Sequence, residues 1–340
     1  MIDDPYYARL RRAQADPTVL AVLRDDPVFV ERFRSMQASA STATYAPPAV
    51  EVAPATAPGP HGPVPVRIYR PSMAGQGTRP LFVWLHGGGW CEGDLDMAEA
   101  DATAREVCAR AEAVVVSVDY RLALEGVHYP VPLDDVLAAW RWALEAASQW
   151  QADARQAVLG GASAGGNLAA GATLRLRDEG GPVPAALALV YPALHGELPP
   201  LDEIQRQQVA LSPEAAGHFR RGLALMLENY LGGPVADAPS YVVPAQADLT
   251  GLPPTLVMTC EWDVLRSSGE TFIGDLQRAD VPHRGLVVPA TDHGHLNNGW
   301  LPQAQQSYQD LADWLTEGPA LRSTAIAVGA TGGVDAPGAA

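Results

Sequence analysis

Residues 157–169, AVLGGASAGGNLA, give the clearest indication of the fold class. A short apolar run, Ala157–Leu159, leads into glycines that bracket Ser163, and a helical pattern begins near Asn167. A strand that turns at once into a helix is typical of sheets in which strands alternate with helices. The stretch therefore predicts one strand–turn–helix unit of an α/β protein.

The same alternation extends along most of the chain on both sides of this unit. Apolar runs bounded by turn residues predict strands at Val66–Tyr69, Leu81–Leu85, Ala113–Val118, Ala157–Leu159, Ala186–Val190, Thr255–Thr259 and Gly285–Val288. Helical patterns between them predict helices near Ala98–Arg110, Asp134–Trp150, Asn167–Arg177, Ser268–Ala279 and Gln303–Leu315. Apolar strands separated by helices predict a mostly parallel central sheet with helices on both faces.

Three segments depart from this alternation. Residues 1–45 carry a loosely helical pattern and are predicted to form an N-terminal helical cap segment. The main domain is predicted at 46–317, with a cap insertion near 194–252 because neighbouring strands do not need so long a connection. The insertion contains a helical pattern at His218–Tyr230. Residues 318–340 are rich in Gly and Ala and are predicted to form a flexible C-terminal tail.

Composition narrows the class of partner. The chain has 23 Lys and Arg against 39 Asp and Glu, a formal charge of −16, which argues against nucleic acid and membrane surfaces as partners. The three cysteines are odd in number and not in a CxxC arrangement, so they suggest neither a disulfide framework nor a zinc ribbon. No signal-peptide core or membrane-spanning stretch is evident, and we expect a cytoplasmic protein.

Ser163 is the candidate nucleophile. It stands between Gly161 and Gly165, on a turn so tight that side chains at those two positions would collide with it. The turn would expose the serine above the strand ends, near the positive end of the following helix. The alternative is a Gly-rich loop in which Ser163 only caps a helix.

The segment HGGGW, residues 86–90, follows a predicted strand and is the candidate oxyanion loop. Consecutive glycines leave backbone N–H groups unshielded, and acyl transfer needs such donors because negative charge develops on the carbonyl oxygen. The predicted donors are the N–H groups of Gly87, Gly88 and Ala164. The alternatives are a flexible turn or a phosphate-binding loop, and the latter lacks the lysine and hydroxyl of a P-loop.

A nucleophilic serine needs a base, and the base needs an orienting carboxylate. Among the eight histidines, His293 and His295 lie in a loop after the last predicted strand, and His293 is preferred because a glycine follows it. Asp263, just after a predicted strand, is the preferred acid; Glu261 and Asp292 are its competitors. A zinc site at His-x-His lacks a third ligand nearby.

These motifs together resemble the bacterial hormone-sensitive-lipase-like family of carboxylesterases, over most of the chain from Val66 to Leu315. The matching segments are HGGGW at 86–90, SVDYRLALE at 117–125, GASAGGNLA at 161–169, DVLRSSGE at 263–270 and HGH at 293–295. Three departures from the family pattern are Ala162, Leu124 and the pair Ser267-Ser268. None of them removes a candidate catalytic group.

The resemblance implies an α/β-hydrolase fold in which 46–317 is the catalytic domain, with a helical cap. It implies a Ser163–Asp263–His293 triad that cleaves small-molecule carboxylic esters of short to medium acyl chain without a metal or organic cofactor. Trp90 and Tyr191 are candidate pocket residues.

Several alternatives stay open at this stage. An amidase, lactonase or acyltransferase could use the same groups, and a non-catalytic ligand-binding homologue could keep the pocket alone. The oligomeric state is also open, a homodimer included.

Overall fold

The computed structural model describes residues 45–72, 77–210 and 213–331, and a single eight-stranded sheet dominates that part of the chain. The strands are β1 Glu51–Ala57, β2 Val64–Arg70, β3 Leu81–Leu85, β4 Val114–Val118, β5 Val158–Ala162, β6 Ala186–Val190, β7 Thr255–Cys260 and β8 His283–Val288. They lie in the order β1-β2-β4-β3-β5-β6-β7-β8. β1 pairs with β2 and β2 with β4 in antiparallel fashion, and every other neighbouring pair is parallel. The predicted mostly parallel sheet is confirmed.

Helices cover both faces of this sheet. They are α1 Ala98–Arg110, α2 Val131–Ala146, α3 Ala164–Asp178, α4 Glu203–Val209, α5 Pro213–Leu231, α6 Arg266–Arg278 and α7 Pro302–Thr331. Side chains of a strand point alternately to opposite faces. In β3, Leu81, Val83 and Leu85 therefore join the core beneath α2, α3 and α6, whereas Phe82 and Trp84 join the core beneath α1 and α7.

The predicted insertion corresponds to the long connection between β6 and β7. It contains α4 and α5, and α5 extends the predicted helical pattern His218–Tyr230 by a few residues on its N-terminal side. In the described ranges, no helix combines the length and the apolar character needed to cross a membrane.

The predictions for the N-terminal cap segment and for the C-terminal tail have different outcomes. Residues 1–44 lie outside the described part, so the N-terminal cap segment stays a prediction. The flexible tail does not begin at 318, because α7 continues to Thr331, and only 332–340 fall outside the description. Gly318 and Pro319 are buried in this helix, and a Cβ at Gly318 would contact Ala186 of β6 and Trp314. Packing against the sheet, together with alanine-rich sequence, keeps the chain helical there.

The carboxyl ends of the parallel strands gather the loops that matter for chemistry. The loops after β3, β5, β7 and β8 all leave the same edge of the sheet, because these strands run parallel. Residues far apart in sequence are thereby brought to one place.

Candidate active site

Ser163 lies on the turn between β5 and α3 in a conformation that few residues adopt. Its φ is 53° and its ψ is −115°, and such sparsely populated regions cost about 1–3 kcal/mol each. A Cβ at Gly161 would overlap the backbone of Gly165, and a Cβ at Gly165 would overlap the carbonyl oxygens of Leu85 and His86. The predicted steric need for glycine at both positions is confirmed. The turn packs directly against the end of β3.

Two side chains from later loops meet Ser163 above the sheet. The Nε2 atom of His293, in the loop after β8, lies 3.0 Å from Ser163 Oγ. The Oδ2 atom of Asp263, just after β7, lies 2.7 Å from His293 Nδ1. Because a carboxylate can only accept, it holds the proton on Nδ1 and leaves Nε2 free to accept from the serine hydroxyl. The structure thus brings together the three residues named from the sequence.

The electrostatics of this group suit a base. Asp263 is buried, and its Oδ1 accepts a hydrogen bond from the N–H of Leu265 at 2.9 Å. Burial acts to lower the pKa of His293, but the charges of Asp263 and Asp292 outweigh it and raise that pKa above its ordinary value. The imidazolium that forms when His293 takes a proton is therefore stabilised by Asp263.

Glu261, the competing acid, is engaged elsewhere. Its Oε1 accepts from Gln208 Nε2 at 2.7 Å, and its Oε2 accepts from the N–H of Ala290 at 2.6 Å. The side chain ties α4 of the insertion to the start of the loop that carries His293. Its carboxylate is thus a structural link between the insertion and the site.

His295, the competing base, is buried beneath the site. Its Nδ1 lies 3.2 Å from Cys260 Sγ and its Nε2 lies 2.8 Å from Ser307 Oγ. Desolvation by burial lowers the pKa of His295 to about 3, so this ring is neutral and supports the loop. Among the described residues, no group of three or more His, Cys, Asp and Glu side chains could hold a metal ion.

The loop after β3 carries two backbone N–H groups, those of Gly88 and Gly89, that donate to no group in the described part of the chain. Gly88 and Gly89 have φ values of 120° and 59°, in the left-handed region that favours glycine. In the described part of the chain, no hydrogen bond uses the N–H of Gly88, Gly89 or Ala164. Ala164 is the first residue of α3, where helix geometry leaves the N–H without an intrahelical partner.

Gly87 is not available as predicted. Its N–H donates to Glu99 Oε2 at 2.9 Å, which contradicts the prediction of Gly87 as an oxyanion donor, whereas the N–H of Gly89, like that of Gly88, has no such partner among the described residues. The sequence carries no local signal for this contact. Glu99 resembles any acidic residue in the first turn of a helix, where the macrodipole favours negative charge.

The two predicted pocket residues are buried in packing contacts instead. Trp90 is 1% exposed and stacks on Tyr230 of α5, with ring centroids 5.3 Å apart. Tyr191 is 2% exposed, and its ring centroid lies 4.9 Å from that of His293. Both side chains support the site and present almost no surface to a substrate, which corrects the prediction that they line a pocket.

Helix α5 supplies the side chains that lie over the site. The ring of Phe219 packs edge-on toward His293, with centroids 6.4 Å apart. The sulfur of Met226 lies 2.7 Å from the position a Cβ would take at Gly89. Sequence reasoning missed both residues, because apolar positions on a helix give the same pattern whether they face a core or a substrate.

The departure at 267–268 has a structural role. Ser268 Oγ accepts from the N–H of Leu194 at 3.2 Å and lies 2.8 Å from His195 Nδ1. Ser267 Oγ donates to the carbonyl of Pro199 at 2.8 Å. The two hydroxyls anchor the segment that leads from β6 into the insertion.

Comparison with known proteins agrees with this architecture. A family model described as alpha/beta hydrolase fold matches residues 82–297. Carboxylesterase NlhH of Mycobacterium tuberculosis is 36% identical over 240 residues, which cover 69% of this chain and 72% of that protein.

Arylacetamide deacetylase of Oryctolagus cuniculus is 27% identical over 310 residues, covering 75% of this chain and 78% of that protein. Among solved structures, an esterase of Pyrobaculum calidifontis superposes with a TM-score of 0.72 at 29% identity, covering 93% of this chain and 95% of that one. The similarity therefore extends beyond the sheet to most of the chain.

Proposed function

The chain belongs to the hormone-sensitive-lipase-like family of α/β hydrolases, and we propose that it is a serine hydrolase that cleaves carboxylic esters. The observation that carries the proposal is the line of contacts from Ser163 Oγ to His293, at 3.0 Å, and from His293 to Asp263, at 2.7 Å. Acyl transfer needs a nucleophile beside a base and a base oriented by a third group. The names of the carboxylesterase and esterase relatives support an ester as the substrate.

In the proposed acylation step, Ser163 Oγ attacks the carbonyl carbon of the ester while His293 Nε2 takes its proton. We assign the N–H groups of Gly88, Gly89 and Ala164 to the oxyanion of the tetrahedral intermediate. His293 then gives its proton to the oxygen of the leaving alcohol, and an acyl-serine remains. Asp263 holds the imidazole in orientation and stabilises the imidazolium throughout.

Deacylation repeats the same steps with water. A water molecule gives a proton to His293 Nε2 and attacks the acyl carbon, the same amides hold the second oxyanion, and Ser163 leaves with the proton returned by His293. The products are a carboxylic acid and an alcohol. Besides the ester and water, both reaction steps use only side chains and backbone amides of this chain.

We further propose that the acyl chain is short to medium in length. Met226 reaches the oxyanion loop at Gly89, and Phe219 lies over His293, so two apolar side chains of α5 stand close above the reacting atoms. Apolar walls favour an apolar acyl group, and their closeness limits its length.

Replacement of the nucleophile tests the central proposal. Ser163→Ala should lower kcat for a p-nitrophenyl ester by roughly 10⁶-fold and abolish covalent labelling by a fluorophosphonate probe. Ser148→Ala, at an exposed serine of the turn after α2, is the matched control and should be labelled like the wild type. Labelling that persists in Ser163→Ala would refute the assignment.

An amide substrate is the second candidate, and the similarity to arylacetamide deacetylase favours it. The same purified protein should be assayed on an aryl acetate and on the matching aryl acetamide. We expect a far higher kcat/KM for the ester, because the phenolate leaves more readily than the anilide. A higher value for the amide would make amidase the main activity.

A panel of p-nitrophenyl esters of increasing chain length tests the acyl limit. The wild type should prefer short and medium chains, and Met226→Ala should move the optimum to longer ones because it opens space above Gly89. Leu225→Ala, at an exposed residue next to Met226, is the control and should keep the wild-type optimum. An unchanged optimum in Met226→Ala would remove Met226 from the acyl wall.

A further inference from the structure

The peptide unit between His86 and Gly87 is held at both of its polar ends by buried side chains. Its carbonyl oxygen accepts from Tyr120 Oη at 2.7 Å, and its N–H donates to Glu99 Oε2 at 2.9 Å. A planar peptide fixed at C=O and at N–H cannot rotate about the chain axis without losing one of the two bonds. This peptide immediately precedes the amides of Gly88 and Gly89, so its tilt sets theirs.

Glu99 is built into the site from several directions. It is 1% exposed, and its Oε1 accepts from Trp84 Nε1 of β3 at 2.8 Å. Its own N–H donates to Asn297 Oδ1 at 3.1 Å, in the turn that follows His293. The carboxylate thus joins α1, β3 and the oxyanion loop, and its backbone joins the histidine loop.

The charge state of Glu99 sets the strength of these contacts. Both partners of its carboxylate, the N–H of Gly87 and the indole N–H of Trp84, can only donate. An ionised carboxylate accepts from both as a charged acceptor, whereas protonation turns one of its oxygens into a hydroxyl, which is a weaker acceptor. Protonation therefore weakens the bond from one of the two donors.

Burial brings the pKa of Glu99 into the pH range in which enzymes commonly work. Desolvation raises the pKa of Glu99 to about 7, against the opposing effect of its hydrogen bonds from Gly87 and Trp84. The titratable groups that face it are the phenols of Tyr120, after β4, Tyr191, after β6, and Tyr308, on α7. Burial raises the pKa of each phenol above its ordinary value, so all three are neutral neighbours.

We propose that Glu99 is a positioning residue for the proposed esterase reaction: its ionised carboxylate, with Tyr120, orients the oxyanion loop, and uptake of a proton by Glu99 lowers turnover. The inference rests on the proposed function. Protonation of Glu99 would add a second ionisation to the acid limb of the pH profile, because His293 must also be neutral to act as base. The logarithm of kcat should therefore fall more steeply with decreasing pH than one ionisation allows.

Glu99→Gln is the main test. Its amide can accept one N–H but presents its own NH₂ to the other, which tilts the loop at every pH. Loss of a whole oxyanion donor costs about 10²–10³-fold in kcat, so a tilt should cost about 10–100-fold. KM should change little, because the amides act on the transition state more than on the bound ester. The acid limb should follow a single ionisation.

Two further variants separate positioning from packing. Glu106→Gln, at another buried glutamate of α1 that contacts Tyr45 and Arg110 away from the loop, should keep the wild-type kcat and pH profile. Glu99→Asp keeps the charge and should recover part of the kcat that Glu99→Gln loses. Thermal melting of each variant establishes that the folded enzyme is compared.

Each experimental outcome bears either on the role of Glu99 or on the proposed function. A single-ionisation acid limb in the wild type, or a Glu99→Gln enzyme with wild-type kcat, overturns the inference while the esterase proposal stands. A loss of equal size in Glu106→Gln also overturns it. If Glu99→Gln does not fold, the wild-type profile and Glu99→Asp still decide. A wild type without ester hydrolysis refutes the proposed function instead.

Discussion

Two imidazoles two residues apart in one loop lie in opposite surroundings. The side chain of His293 is 29% exposed and has the Asp263 carboxylate against Nδ1, and its pKa is raised. His295 is 2% exposed between Cys260 and Ser307, and burial lowers its pKa to about 3. The residue type and the loop are the same. Burial and a charged partner therefore decide which ring can serve as a base.

The backbone creates this division. Gly294 has a φ of 79°, in the left-handed region, and His295 begins a short 3₁₀ turn, His295–Asn297. The chain thus reverses between the two rings, and the Tyr191 ring packs edge-on against both of them. One histidine is directed toward Ser163 and the other into the core beneath α7.

Replacement of His293 should have the greatest consequence for catalysis. His293→Gln should lower kcat by roughly 10⁶-fold, because His293 Nε2 is the only base in hydrogen-bonding distance of Ser163 Oγ among the described residues. His295→Gln, the matched change two residues on, should keep kcat within the same order of magnitude, because that ring does not touch Ser163. Steady-state kinetics on one p-nitrophenyl ester, with melting temperatures for both variants, would measure this. The reverse order of the two effects would exchange their roles.

The fold was predictable because its central strands, β3 to β7, are buried on both faces. β3 and β6 carry uninterrupted apolar runs between turn residues, and both match their predicted bounds. Element ends were less predictable: α2 begins at Val131, three residues before the predicted start, and α7 continues past the predicted tail boundary. Pro132 in the first turn of α2 is a local start signal that the apolar pattern alone did not use, whereas the extension of α7 depends on its packing against the sheet together with its alanine-rich sequence.

The residues of the candidate site likewise fall into two groups, those that a local motif identifies and those that depend on long-range contacts. Ser163 sits in a local motif whose glycines have a steric cause within the motif, so sequence could identify it. The engagement of the Gly87 N–H depends on Glu99, which contacts the loop only through the folded chain. The burial of Trp90 likewise depends on Tyr230, far along the chain on α5. Local motifs therefore identify the reacting side chains, whereas long-range contacts determine the surroundings of those side chains.

The two histidines should also differ in how they affect the free energy of unfolding as pH changes. In the unfolded chain His295 titrates at its ordinary value of 6.5, and in the folded protein only near 3. Between these values the unfolded state binds more protons, so the free energy of unfolding falls as pH falls below 6.5. His293 has the opposite sign: its raised pKa adds stability that is fully present below 6.5 and lost as pH rises through the folded value.

Urea unfolding of the wild type and of His295→Gln at pH 7 and pH 5 isolates the His295 contribution. The wild type should lose about 2 kcal/mol more than the variant between the two pH values, from about 1.5 pH units at about 1.4 kcal/mol each. Other titrating groups, the buried His86 among them, are common to both proteins and cancel. Equal losses in the two proteins would mean that His295 stays free to take a proton in the folded state. The contrast between the two rings would then rest on contact with Ser163 alone and not on burial.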